Sequence, residues 1–115
     1  MPQITVDYPD TLADAFDRRG FARALHPLVV ELADAKLDTC KSRFRRTEDN
    51  VAGGADRGHA VVHIEIGLLA GRTPEVKATL TGAVLELVAK YLDDSAEQLH
   101  LSAEVRDLDA SYTKA

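Results

Sequence analysis

The apolar residues of this chain switch between a period of two and a period of three to four. They do so twice, in the same order, within 115 residues. Ile4, Val6 and Tyr8 alternate with Gln3, Thr5 and Asp7, which is the pattern of a strand with one buried face. Phe21, Leu25, Leu28, Val29 and Leu32 follow at helical spacing. Leu37 to Arg46 then reads as a second strand, with Cys40, Ser42 and Phe44 on one side and Lys41, Arg43 and Arg45 on the other. The polar stretch from Thr47 to Gly58 reads as a loop. After it, Ala60 to Ile66 is the clearest strand. Val76, Leu80, Val84, Leu87, Val88 and Tyr91 form one helical stripe that ends at Asp93-Asp94-Ser95, and Leu99, Leu101, Ala103 and Val105 alternate in a last strand. The segment from Asp107 to Ala115 is expected to be a C-terminal arm.

Local signals mark some boundaries better than others. Thr73 is a good helix N-cap, Pro74 suits the first helical position, and Glu75 suits the positive field of a helix start. The first helix is harder to delimit. Thr11 to Phe16 fits a helical turn broken at Arg19-Gly20, and Pro27 predicts either a kink or a helix start near it. The order is therefore strand, helix, strand, given twice. Each half is a βαβ unit whose right-handed crossover lays its strands parallel. The expected fold is α/β, a single domain over residues 1–115, with two βαβ units forming a four-stranded sheet and both helices on one face. The Ala60–Ile66 strand carries apolar side chains on both faces, so the other sheet face needs a cover, and association of several subunits supplies one.

Charge and cysteine content narrow the function classes. A net charge of −5 and a pI of about 5.3 argue against a general affinity for nucleic acid or an anionic membrane. One cysteine, Cys40, rules out an internal disulfide and suits a reducing cytoplasm. The first residues lack an apolar signal core, and no apolar run approaches the ~20 residues that span a bilayer. A cytoplasmic location is expected.

The chain opens Met1-Pro2, and the first strand begins at once. Pro2 has two readings. It opens an edge strand, where its missing N–H costs nothing. Or, once Met1 is removed, its secondary amine is a titratable base that burial or a neighbouring cation drives toward neutrality. Arg72 precedes a helix start, where an anion is favoured, or else it is a surface arginine pairing Glu75. Lys41, Arg43 and Arg45 form either a solvated charge row or contacts to an anionic ligand. His63 reads as a hydrogen-bonded structural histidine before it reads as a catalyst. His26, His59 and His100 are too scattered for metal-ligand spacing, so no metal site is expected. Cys40 reads as a buried thiol rather than a nucleophile. Gly53-Gly54 is no phosphate loop, and Asp93-Asp94 is a helix end.

In combination these residues resemble a known family. Met1-Pro2 ahead of an alternating strand, Pro27 in the first helical region, Ser42-Arg43 in the second strand, and Ala60-Val61-Val62-His63-Ile64-Glu65-Ile66 followed by Ala70-Gly71-Arg72 are similar to the 5-carboxymethyl-2-hydroxymuconate isomerases of the tautomerase superfamily. The similarity runs from Pro2 to about Tyr91 and more loosely beyond. It implies a cofactor-independent isomerase, assembled as a homotrimer, that moves a proton along a small unsaturated 2-hydroxy or 2-oxo di- or tricarboxylate. The family's own substrate belongs to bacterial breakdown of an aromatic compound, homoprotocatechuate. Pro2 and Arg72 match the family's catalytic positions, and Lys41 and Arg43 are the implied substrate-binding residues. Lys41 stands where the family usually has arginine, and it keeps the charge but loses the bidentate fork. The segment Val51-Ala52-Gly53-Gly54 also departs from the usual loop. Two alternatives go with the same resemblance: a non-catalytic oligomeric carboxylate-binding protein, or another superfamily activity such as dehalogenase or hydratase.

Overall fold

A computed structural model describes residues 1–115. Its elements run β1 (Gln3–Pro9), α1 (Arg18–Ala33), β2 (Lys41–Thr47), β3 (His59–Leu68), α2 (Pro74–Ala89) and β4 (Gln98–Asp107), with short 3-10 turns at Asp10–Leu12 and Leu37–Thr39. The four strands form one sheet in the order β2-β1-β3-β4. The two pairs β1–β2 and β3–β4 are parallel, as βαβ crossovers require, and the halves join antiparallel through β1 and β3.

Both helices cover the same sheet face. Ile4, Val6 and Tyr8 of β1 and Ala60, Val62, Ile64, Ile66 and Leu68 of β3 are buried there. They meet Phe21, Leu25, Val29 and Ala33 of α1 and Leu80, Val84 and Val88 of α2. Strand alternation and helical stripe thus deliver one core. At the start of α2, Thr73 accepts a hydrogen bond from the Val76 N–H at 3.2 Å, with Pro74 in the first turn.

Several boundaries differ from the sequence reading, each for a local reason. Arg19-Gly20 does not break a helix. Asp17 caps α1 by accepting from the Gly20 N–H at 3.0 Å, so both residues lie in its first turn. Pro27 lies inside α1 rather than at its start. Leu37–Thr39 is a 3-10 turn, so β2 begins only at Lys41. The last strand extends to Asp107, leaving residues 108–115 as the segment beyond it.

The open sheet face is also not what was expected. On β3 it carries His59, Val61, His63, Glu65 and Gly67, of which Val61 is the only large aliphatic residue. Its neighbours there are Thr5 and Asp7 of β1, Lys41, Arg43 and Arg45 of β2, and Ser102, Glu104 and Arg106 of β4. Arg45 pairs with Asp7 at 2.7 Å, and Arg106 lies 3.5 Å from Glu65. Any cover for this face meets charge and hydrogen-bonding groups rather than an apolar surface. No helix is long and apolar enough to cross a membrane.

Candidate active site at the amino-terminal end of the sheet

Parallel pairing of β1 and β2 sets Gln3 opposite Lys41, and the Lys41 N–H donates to the Pro2 carbonyl at 3.2 Å. Pro2 itself is buried, at the mouth of the sheet. In this molecule Met1 precedes it, so the Pro2 nitrogen is a peptide nitrogen and the free amine belongs to Met1. That amine titrates below the ordinary range for a chain terminus. Partial burial is the main cause, followed by the charges of Arg72 and Lys114, with a further contribution from Lys41; Cys40 acts in the opposite direction. Three cations therefore converge on one amine, from β2, from the β3–α2 connection and from the far end of the chain.

Arg72 is held rigidly. Its Nε donates to the Ala33 carbonyl at 2.9 Å, its Nη2 to the Asp34 carbonyl at 3.3 Å and its Nη1 to the Leu69 carbonyl at 3.2 Å. Ala33 is the last residue of α1, and Asp34, with φ of 56°, caps it in the left-handed region. The guanidinium thus satisfies carbonyls at a helix C-terminus, where a cation is favoured. It does not pair with Glu75. Three of the five N–H donors of an arginine are used, and two remain for a ligand. Gly71 just before it has φ of 128°, a conformation that L side chains rarely adopt, and this turns the chain back toward α1.

Lys41 is exposed, and the one hydrogen bond of its ammonium is to the Thr39 carbonyl at 3.4 Å. Arg43 lies two residues along β2, roughly 7 Å farther from the amine, and donates to Thr5 Oγ1 at 3.4 Å. It lines a concavity of about 450 Å³ on the open face with Gln3, Glu65, Arg106 and Tyr112. Pro2, Lys41 and Arg72 are thus brought together, while Arg43 belongs to the neighbouring surface. A larger hollow of about 730 Å³, lined by Glu48, Asp49, Asp56 and Arg57 among others, lies near the loop between β2 and β3, away from the amine.

The other candidates resolve into structural roles. Cys40 is buried, its thiol lies 3.5 Å from the Lys36 carbonyl, and burial pushes its pKa up. An elevated thiol pKa makes a poor nucleophile. His26 shares a hydrogen bond with Ser42 Oγ at 2.7 Å, and burial lowers its pKa. His63 pairs with Ser102 Oγ at 2.7 Å on the open face. The histidines are less scattered than their spacing suggests, because the β3–β4 register brings His59 Nδ1 to 2.8 Å from His100 Nε2. His63, Glu65 and Glu104 also meet, with donor atoms within 4.8 Å of one another, and are the residues that could hold a divalent cation; Glu65 is shared with Arg106.

Lys114 is the residue that sequence reasoning missed. Its Nζ lies 3.4 Å from Met1 Sδ, a distance of 113 positions along the chain. No local signal near Lys114 points to this contact. Only the return path of the chain after β4 creates it.

The model of the family described as 5-carboxymethyl-2-hydroxymuconate isomerase matches residues 2–115. The chain belongs to that family. It is an isomerase of the tautomerase type. A solved 5-carboxymethyl-2-hydroxymuconate isomerase from Deinococcus radiodurans R1 superposes with a TM-score of 0.80 at 21% identity, covering 98% of this chain and 88% of that one. A fused 4-OT described as a wild-type symmetric trimer gives 0.77 at 22% identity, over 98% and 90%. A 5-carboxymethyl-2-hydroxymuconate delta-isomerase gives 0.70 at 13% identity, over 100% and 87%. At these identities the structures establish the shared fold. None of the curated proteins matches the chain.

Proposed function

We propose that this isomerase acts after Met1 is removed, with the secondary amine of Pro2 as its general base and acid. The substrate is a small unsaturated 2-hydroxy or 2-oxo di- or tricarboxylate. The neutral Pro2 nitrogen takes a proton from the enol hydroxyl or an activated carbon. It returns that proton to a different carbon of the conjugated system. Arg72, with two free N–H donors, stabilises charge building on the 2-oxygen and its adjacent carboxylate. Lys41 holds the far carboxylate, and Arg43 contributes a more distant positive charge. The working form is a cytoplasmic homotrimer, in which a neighbouring subunit closes the open side of the site.

The observation that carries this reading is the gathering of Arg72, Lys114 and Lys41 around the Met1 amine, one residue from the Pro2 nitrogen, where burial first and then these charges lower an amine's pKa. A lowered pKa leaves more neutral amine near pH 7, which is the form a base needs. The test follows the ultraviolet change of 2-hydroxymuconate. Intact mass should show loss of one methionine, and an alkylating substrate analogue should attach to Pro2. Pro2→Ala should slow turnover strongly without abolishing it, since a primary amine remains at the same place. His63→Ala should cost stability more than turnover. A preparation that retains Met1 yet turns over substrate as fast as the processed protein would refute the mechanism.

A further inference from the structure

Beyond β4 the chain does not trail into solvent. The Leu108 N–H donates to the Leu68 carbonyl at 2.7 Å, and the Leu108 side chain lies over Gly67. A Cβ at Gly67 would stand 2.7 Å from Leu108 Cδ2, so the glycine lets the Leu108 side chain lie close over β3, and a larger residue there would push it aside. Asp109 then closes a turn, accepting from the Ser111 N–H through Oδ2 at 2.8 Å and from the Tyr112 N–H through its carbonyl at 2.9 Å. Tyr112 lands on β1, where Gln3 Nε2 donates to its hydroxyl at 3.1 Å. The arm is therefore fixed at both Leu108 and Tyr112, and Lys114 follows two residues later beside Met1.

We propose that Lys114 is a substrate-binding cation of the isomerase site, carried there by this arm to hold a carboxylate of the substrate next to the terminal amine. The proposal rests on the reading of Pro2 as the reacting amine. Lys114 makes no ion pair, and the one hydrogen-bonding partner of its ammonium is a thioether sulfur, a weak acceptor. An ammonium placed beside another amine, with no ion pair of its own, gains little until an anion arrives. Loss of Met1 removes that sulfur and leaves all three N–H donors for a ligand. Arg72 already spends three donors on backbone carbonyls, and Lys41 can offer a carboxylate only a point charge. A dianionic or trianionic substrate needs a further cation, and Lys114 is the one that the fold delivers. The same charge also works on the amine, since a nearby cation disfavours its protonation.

The experiment uses the processed protein with adipate, an unreactive dicarboxylate, as the binding probe and 2-hydroxymuconate as substrate. Lys114→Ala should weaken adipate binding and raise KM by about tenfold, in line with loss of one charge-assisted contact. It should change kcat much less, and leave the urea midpoint where it was. The acid limb of kcat/KM should move to higher pH, because removing a neighbouring cation lets the amine keep its proton longer. Lys114→Arg should restore both affinity and pH profile, and Lys90→Ala, on the surface at the end of α2, should match the wild type. If Lys114→Ala binds adipate and titrates like the wild type while Pro2→Ala is slow, the role of Lys114 is wrong and that of Pro2 stands. If Pro2→Ala is as fast as the wild type, the base is wrong, and adipate affinity still decides whether Lys114 binds carboxylates.

Discussion

The two halves of this molecule share a topology and divide the work. The first, β1-α1-β2, begins with the strand that carries Pro2 and ends with the strand that carries Lys41. The second, β3-α2-β4, reaches back into the first at several points. Arg72 closes the end of α1 through the Ala33 and Asp34 carbonyls. The Tyr91 carbonyl accepts from the Asp17 N–H at 3.0 Å, next to the α1 cap, and the Asp93 N–H donates to the Ala15 carbonyl at 2.8 Å. The arm beyond β4 returns to Gln3. The reverse traffic is mainly the β1–β3 ladder and core packing. The repeated unit has thus become asymmetric: one copy presents the amine, and the other holds it in place.

That division makes predictions that run across the molecule. The largest effect should come from the shared core, where both halves depend on the same side chains. Ile64 is fully buried on β3 and sits opposite Val6 of β1. Ile64→Ala should cost about 2–5 kcal/mol through lost burial and the cavity left behind, read from urea unfolding. A single cooperative transition in that experiment would show the halves unfolding together. Separate transitions would break the comparison.

Arg72→Ala should come next, at about 1.5–3 kcal/mol, because it leaves the end of α1 without its donors. The effect belongs to the other half. Hydrogen exchange should quicken in the last turn of α1, while the middle of α2 keeps its protection. Arg72→Lys should recover little of this, since one ammonium cannot span three carbonyls. If exchange quickens in α2 instead, Arg72 supports its own half and the asymmetry disappears.

The smallest effect should follow from the cap of α2. Thr73→Ala removes the acceptor for the Val76 N–H and should cost about 1 kcal/mol. Turnover should hardly change, because the Thr73 side chain bonds to the Val76 N–H and to none of the cations around the amine. A strong loss of activity would place α2 nearer the chemistry than its geometry does.

Much of this architecture was legible in the chain. The alternation of Ile4, Val6 and Tyr8 and of Val62, Ile64 and Ile66 assigned inward faces correctly, because one buried side is enough to fix a strand's period. The stripe Leu80, Val84, Val88 and the Thr73-Pro74 start did the same for α2. Less was legible at α1. Arg19-Gly20 looked like a break because helix propensity is a weak local signal, and an N-cap at Asp17 overrode it. The Ala60–Ile66 strand looked apolar on both faces because Val61 is flanked by buried neighbours. In three dimensions the outward row also holds His63 and Glu65, beside the charged rows of β2 and β4.

By itself, then, the sequence determined the order and faces of the elements, the family resemblance, and the nomination of Pro2, Lys41 and Arg72. These are properties of short windows, where periodicity, capping and motif spacing act directly. Tertiary structure decided which groups meet. It spent two donors of Arg72 on the end of a helix that closes 38 residues earlier in the chain, and a third on the nearby Leu69 carbonyl. It set His59 against His100 through a strand register, and it brought Lys114 back to Met1 by way of a glycine on β3 and a tyrosine on β1. Such meetings depend on how distant segments pack, and no local pattern of residues encodes them.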